Sequence, residues 1–318
     1  MPRRPGALSS AQRNPLPLPA VHLSAEYPAA MVRAQARAGA WVQVRPGAHI
    51  DAQALDALDR HDRARASALA AIVAAHRKLR VPNVISHMSA ALVHGLPLLT
   101  PPCATHLTQE SRRGGDSAAD LARHLGVLSA EHVTTHRGLL VTTLERTVVD
   151  CALALPVRAG LVVADAALHQ GADRDAIDAI VAGLDGRRGV VSARTVMRYA
   201  DEGAESASES LTRYILLRAG LPRPTTQLRI PTRSGIYWAD LGWEEERAAL
   251  EYDGEGKYAG AAGAAELRRE KARHDAITET GFRVGRVVAA DLHAPQNLIA
   301  RVARLLRVDH LHPRRDLA

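Results

Sequence analysis

Two cysteines in 318 residues, Cys103 and Cys151, exclude a disulfide framework, and without four suitably spaced ligands they argue against a structural zinc module. No window reaches the roughly 18 uninterrupted apolar residues of a membrane helix. The Pro-broken, Arg-containing start lacks the apolar stretch of a secretory signal. A cytoplasmic protein with no membrane partner is therefore expected. Lysine is scarce as well: Lys78, Lys257 and Lys271 are the only three among 41 basic residues, which leaves 38 arginines. Three enzyme signatures are missing too. There is no G-x-S-x-G elbow and no G-x-x-x-x-G-K-[ST] phosphate loop. Gly254, Gly256 and Gly260 approach a dinucleotide fingerprint, but the last glycine comes one residue late and no second βαβ half follows.

What is present describes a globular, multi-domain chain: 47% hydrophobic and 24% charged residues can bury a sizeable core. A net charge of +7 and a pI near 9.9 fit a polyanionic partner, because clustered cations release counterions from phosphates. The arginine excess, together with abundant alanine, equally fits the codon bias of a GC-rich genome, so charge alone does not decide.

Four segments follow from the pattern. Residues 1–24, with Pro2, Pro5, Pro15, Pro17 and Pro19, read as an extended, disordered arm. Residues 25–50 read as a partial winged helix: a helix from Ala29 to Gly39, a strand over Trp41–Val44, a turn at Arg45-Pro46-Gly47 and a return over Ala48–Ile50. Arg33, Arg37 and Arg45 would be its phosphate contacts; an ordinary helix and hairpin with solvated arginines is the competing reading. Residues 51–201 form an α/β scaffold. It holds a helix with Leu69, Ile72 and Val73 on one face, a short helix from Ser86 to Gly95, a Thr142/Glu145 capping box, and a helix around Val162–His169. His87, His94 and His106 are spread along it and form no expected constellation.

Residues 202–318 are the informative part. A helix over Glu205–Gly220 is followed by strands over Thr225–Ile230, Tyr237–Trp243 and Ala248–Asp253, a helix over Gly260–Thr280, a strand over Phe282–Ala289 and a closing helix bearing Leu298, Ile299, Val302, Leu305 and Leu306. The order is αβββαβα, and the expected fold class is mixed α/β (α+β). A hairpin centred on Glu244–Glu246 sets Asp240 opposite Glu251, and alternation puts Asp253 on the face of Glu251. Carboxylates gathered in this way repel unless a cation sits among them, and hard oxygen donors suit Mg2+ or Mn2+. Asp240 and Glu251 are the candidate metal ligands, and Glu209 on the preceding helix could complete the set. Lys257 follows closely, an amine able to orient a water or accept its proton. The plainer alternatives are a strand-closing turn at Asp253-Gly254 and a solvated hairpin tip at Glu244–Glu246.

Glu209, Gln227, Trp238-Ala239-Asp240-Leu241, Leu250-Glu251-Tyr252-Asp253-Gly254, Arg268 to Arg273 and Gly281-Phe282-Arg283-Val284 with Arg286 resemble the very-short-patch-repair-like endonuclease domain of the PD-(D/E)xK restriction-endonuclease-like superfamily. The resemblance covers about a third of the chain. It implies an αβββαβ core in which Asp240 is the metal-binding aspartate, Glu251 and Asp253 are the carboxylates of the next strand, and Glu209 is the acidic residue of the first helix. Asp253 stands where the superfamily has its lysine, as in the repair-like branch, and Lys257 stands where that branch has histidine. Arg268, Arg269 and Arg273 would neutralise phosphates, or else form a solvated helix face.

Ala38–Gly47, Ser86–Gly95 and Leu144–Asp150 resemble actinobacterial proteins related to type IV abortive-infection antitoxins. That resemblance implies a winged helix before an α/β domain, DNA binding, promoter autoregulation and a toxin partner. Two functions are expected from these readings: a Mg2+- or Mn2+-dependent DNA endonuclease, and, as the alternative, a non-catalytic DNA-binding regulator with a degenerate nuclease fold.

Overall fold

The computed structural model describes residues 15–79, 83–111, 119–253, 272–273 and 275–317. The fold is mixed α/β with three sheets. No helix among the described residues is long and apolar enough to cross a membrane. The chain divides into two compact units. One contains the described residues up to Val163 together with Gly171–Ala193; the other contains Ala164–Gln170 together with those from Arg194 onward.

The N-terminal unit starts with a small antiparallel sheet in the order β1-β3-β2, made of β1 (His22–Leu23), β2 (Trp41–Arg45) and β3 (Ala48–Asp51). Of the arm expected over 1–24, residues 1–14 lie outside the described residues, and His22–Leu23 is a strand. Val21 and Leu23 alternate inward onto Ala48, Ile50 and Leu55, a period too short to register as a strand beside five prolines. Between β1 and β2 runs α1 (Ala29–Arg37), none of whose residues is buried. After the short α2 (Gln53–Asp56) comes α3 (Arg60–Lys78), whose first turn is capped by the Asp59 carboxylate accepting from Asp62 N at 2.8 Å. Leu69 and Ile72 are buried on its inner face.

A five-stranded mixed sheet follows in the order β6-β5-β4-β8-β7, from β4 (Val84–Ile85), β5 (Thr105–Gln109), β6 (Leu121–Leu125), β7 (Val133–His136) and β8 (Leu139–Thr142). Helices α4 (His87–Val93), α5 (Leu144–Ala154) and α7 (Arg174–Ala182) belong with it; α6 (Val157–His169) and α8 (Val190–Tyr199) each run from one unit into the other. The cap of α5 is Thr143, which accepts from Arg146 N at 3.3 Å, and not Thr142. Thr142 closes β8, and its hydroxyl lies 2.7 Å from that of Thr147. Glu145, the expected second half of the box, accepts instead from Asp173 N.

The C-terminal unit is built on α9 (Ala207–Arg218) and a sheet in the order β12-β11-β10-β9: β9 (Thr225–Thr232), β10 (Gly235–Trp243), β11 (Ala248–Asp253) and β12 (Arg283–Val288). The first three strands are antiparallel neighbours, and β12 joins β11 in parallel. Residues 272–273 and 275–278 are helical and 279–280 form a turn; residues 260–271 and 274 of the helix expected over 260–280 lie outside the described residues. α10 (Ala289–His293) and α11 (Pro295–Leu306) end the fold, with Leu298, Val302 and Leu306 buried at i, i+4 and i+8. Gly220 stops α9 at φ +91, with Leu221 N bonded to Leu216 O.

Two apolar clusters cover the two faces of this sheet. Leu216, Leu241, Trp243, Leu250, Val287 and Val302 form one; Leu228, Ile230, Ala239, Ala249 and Ile277 form the other. Ala239 and Leu241 should share a face by alternation, yet they belong to different clusters. β10 turns over between them. Its ladder with β9 skips Asp240, and the residue that would pair there, Gln227, has φ +49. A kink in the sheet is thus centred on Asp240. In the same unit, α6 and α9 are joined by an ion pair with no exposure at all: Arg213 Nη2 reaches Asp165 Oδ2 at 2.6 Å and Arg213 Nη1 donates to Tyr199 O at 2.5 Å, while Asp165 Oδ1 accepts from Asp201 N.

Candidate functional site

The kink brings the polar residues of the C-terminal unit together. β10 and β11 pair Leu241 with Leu250, Gly242 with Ala249 and Trp243 with Ala248, the register expected from a turn at Glu244–Glu246. One step further out, that register sets Asp240 across from Glu251. Asp240 Oδ2 accepts from Tyr252 N at 2.7 Å, so one carboxylate oxygen is fixed in the plane of the sheet. Leu250 and Tyr252 pack on the α9 side; by alternation Glu251 and Asp253 face the other side, that of Ala249.

Glu209 meets Asp240 from below. Both line a small cavity with Thr212, Leu241, Leu250, Tyr252 and Val287. The Glu209 carboxyl is pushed up to about 8, first by burial and then by the neighbouring Asp240 charge. Its two oxygens are also engaged at the start of α9: Oε2 accepts from Glu205 N at 2.8 Å and Oε1 from Ser206 Oγ at 2.9 Å, while Ser206 Oγ accepts from Glu209 N. Glu209 is therefore a helix cap as well as a neighbour of Asp240, a double role that Ser206-x-x-Glu209 spells out in sequence.

Glu251 has an arginine partner. Arg273 Nη2 lies 2.5 Å from Glu251 Oε1 and donates to Trp238 O at 3.1 Å, with its guanidinium 6.0 Å from the Tyr237 ring centroid. Arg286 Nη1 is 3.8 Å from Asp253 Oδ2. Lys257, Arg268 and Arg269 lie outside the described residues.

Among the described residues no three His, Cys, Asp or Glu side chains gather closely enough to hold a metal ion by themselves. The donors nonetheless suit a hard cation of the Mg2+ kind. Such an ion keeps several waters and takes one or two carboxylates, with substrate phosphate completing its shell. Asp240 and Glu251 are carboxylates of that type on neighbouring strands, with Asp240 lining the α9-side cavity and Glu251 on the other side of the sheet. Burial first, and the Asp240 charge second, keep the Glu209 carboxyl protonated near neutral pH, so Asp240 carries the negative charge of this pair.

The basic residues expected in the winged element separate. Arg33 and Arg37 are exposed on α1, with no acidic partner among the described residues. Arg45 is only 9% exposed, and its Nε is 2.9 Å from Asp120 Oδ2. It lies at the end of β2, where the strand bulges and packs against the unit, so it offers no free charge to a phosphate.

The N-terminal unit holds a constellation that sequence spacing conceals. His87 stacks on His124 with ring centroids 3.5 Å apart, and His106 Nδ1 is 3.0 Å from His124 Nε2. Parallel pairing of β5 with β6 sets Thr108 beside His124, which brings His106 within reach diagonally. His87 has φ +52, its Nδ1 is 2.9 Å from Ser86 Oγ, and the buried Asp150 lies 3.8 Å away, itself held by Arg146. Burial and the neighbouring imidazoles push His87 down to about 2 and His106 to about 4. A histidine with positive φ, placed immediately after a buried serine, was not readable without the strand pairing.

No family model matches the chain. It is similar to two proteins of Mycobacterium tuberculosis, one from strain CDC 1551 / Oshkosh and one from strain H37Rv, each described as uncharacterized. With each, 37% of 172 residues are identical, covering 53% of this chain and 62% of the relative. The chain thus spans about three-fifths of the length of the curated relatives it matches.

Proposed function

We propose that the C-terminal unit is a nuclease domain of the PD-(D/E)xK kind that hydrolyses DNA phosphodiester bonds with Mg2+ or Mn2+, and that the N-terminal unit directs it to DNA. The observation that carries this reading is Asp240 at a kink in the sheet, across from Glu251 and against a buried, charge-perturbed Glu209. The strand order β12-β11-β10-β9, with antiparallel hairpins and one parallel addition, and α9 leading into β9, also supports the αβββαβ core.

Asp240 and Glu251 would hold the cation, which supplies Lewis-acid polarisation of the scissile phosphate and a more acidic water. Asp253, on the face of Glu251, would orient that water. Glu209 keeps a proton near neutral pH, which lowers the local negative charge that phosphate must meet. Arg273 and Arg286 supply positive charge on the same side. The test is Mg2+-dependent cleavage of plasmid and of single-stranded DNA by the wild-type protein and by Asp240→Asn. Cleavage by the wild type that falls at least about a hundredfold in the variant supports the assignment. Equal cleavage by both refutes it.

A second reading, a DNA-binding regulator of the antitoxin kind with a toxin partner, is favoured by one observation: α1 buries none of its residues and exposes Arg33 and Arg37 together. Under that reading Arg33→Ala with Arg37→Ala abolishes operator binding, while Asp240→Asn leaves it intact.

A further inference from the structure

The contact between Arg273 and Glu251 bears on how the site loads, and the inference drawn from it rests on the nuclease reading above. A guanidinium nitrogen 2.5 Å from Glu251 Oε1 fills the space in front of that oxygen. Mg2+ approaches its oxygen ligands to about 2.0–2.1 Å, so an ion on Glu251 would sit beside the guanidinium charge and be repelled by it. Arg273 is anchored on both strands that carry the site: it pairs with Glu251 on β11 and donates to Trp238 O on β10, two residues before Asp240. The side chain is 38% exposed while Glu251 is 17% exposed, so the pair is partly shielded from water and less screened by salt than a free surface ion pair.

The same guanidinium has a second ligand open to it. Arginine binds phosphate through paired N–H donors, in a geometry that a carboxylate oxygen held at one nitrogen does not fully use. A nucleic-acid phosphate entering beside Asp240 would compete for Arg273, free Glu251, and bring its own oxygen to the cation. We propose that Arg273 is a latch: it holds Glu251 in the free protein, keeps the divalent cation out, and is drawn away by the phosphate backbone, so that cation and nucleic acid load together. Free protein then has a weak site, and the site is completed only on the polymer.

The test is calorimetric titration of Mn2+ into the full chain as wild type, Arg273→Gln, Arg273→Lys and the double variant Arg273→Gln/Glu251→Gln. Without nucleic acid, Arg273→Gln is expected to bind Mn2+ at least about tenfold more tightly than wild type, since a competing charge-assisted pair has been removed. Arg273→Lys, which keeps a cation beside Glu251, should stay near wild type, and the double variant should lose binding. A separate arm uses only the wild type: a short phosphorothioate oligonucleotide, which resists cleavage, added as single strand or duplex, should raise its Mn2+ affinity toward that of Arg273→Gln. That arm stands even if Arg273→Gln fails to fold. Equal affinities for wild type and Arg273→Gln, or a wild-type affinity that the oligonucleotide does not change, overturn the latch and leave the metal site standing. No Mn2+ binding by any of the proteins with oligonucleotide present overturns the nuclease reading, and the latch falls with it.

Discussion

Replacing Glu209 by glutamine should make the protein more stable, and the gain should depend on pH in a defined way. The Glu209 carboxyl is 6% exposed and its pKa stands at about 8, raised by burial and by Asp240 from an ordinary value of 4.5. The unfolded chain releases this proton near the ordinary value and the folded chain only near the raised one. Between those two pH values the unfolded state binds fewer protons, so stability falls as pH rises. At pH 7 the interval already crossed is about 2.5 units, which at about 1.4 kcal/mol per unit amounts to roughly 3 kcal/mol. Glutamine keeps the shape and can still accept from Glu205 N and meet Ser206 Oγ, without the charge. Thermal melts at pH 5, 6, 7 and 8 should show Glu209→Gln pulling ahead of wild type progressively, by about 2–3 kcal/mol or roughly 5–10 °C at pH 7. Parallel melting temperatures across that range would refute the claim that burial and the Asp240 charge together raise the Glu209 carboxyl.

Three further outcomes follow from the geometry. Asp165→Asn leaves Arg213 buried without its counter-charge and should cost about 3–5 kcal/mol in urea unfolding, whereas a change below about 1 kcal/mol would mean the pair is not sealed from water. Gly220→Ala should cost at least about 2 kcal/mol, because a Cβ there would lie 2.2 Å from His312 O and φ is +91; an unchanged urea midpoint would contradict that packing. The N-terminal unit should lose stability as pH falls from 6.5 toward 4, since the unfolded chain gains protons there that His87, at about 2, and His106, at about 4, refuse when folded. His87 alone accounts for about 2 kcal/mol between pH 7 and pH 5. His106, only partly shielded, adds about 1 kcal/mol after solvent screening. A His87→Asn variant with the same acid slope as wild type would disprove it.

Legibility in sequence tracked how local the determining contacts are. The strand Ala248–Asp253 and the helix around Leu298, Val302 and Leu306 are set by periodicity within a few residues, and the structure has them where the pattern puts them. The β10–β11 register was readable because a short turn fixes it by counting. What stayed hidden depends on chain segments far apart. Asp165 lies inside the apolar run Leu161–Leu168 and Arg213 inside another at Leu211–Leu217; only their packing makes two misplaced charges into one buried pair. The histidine cluster needs the β5–β6 pairing, with 11 residues separating those strands. The cap of α5 slipped from Thr142 to Thr143 because two adjacent threonines offer the same hydroxyl, and the strand claims the first. Arg45 read as a wing arginine because nothing nearby announces Asp120. Glu209 was singled out as an acid completing the carboxylate set, and its capping bonds in Ser206-x-x-Glu209 went unread beside that role.

The proposed nuclease function requires a divalent cation held by Asp240 and Glu251. Mn2+ should be titrated into the full chain, with a phosphorothioate oligonucleotide present, as wild type and as Glu251→Ala. Saturable binding near one equivalent by the wild type, lost in the variant, is the predicted result. Binding that survives in Glu251→Ala, or none in the wild type, would contradict it.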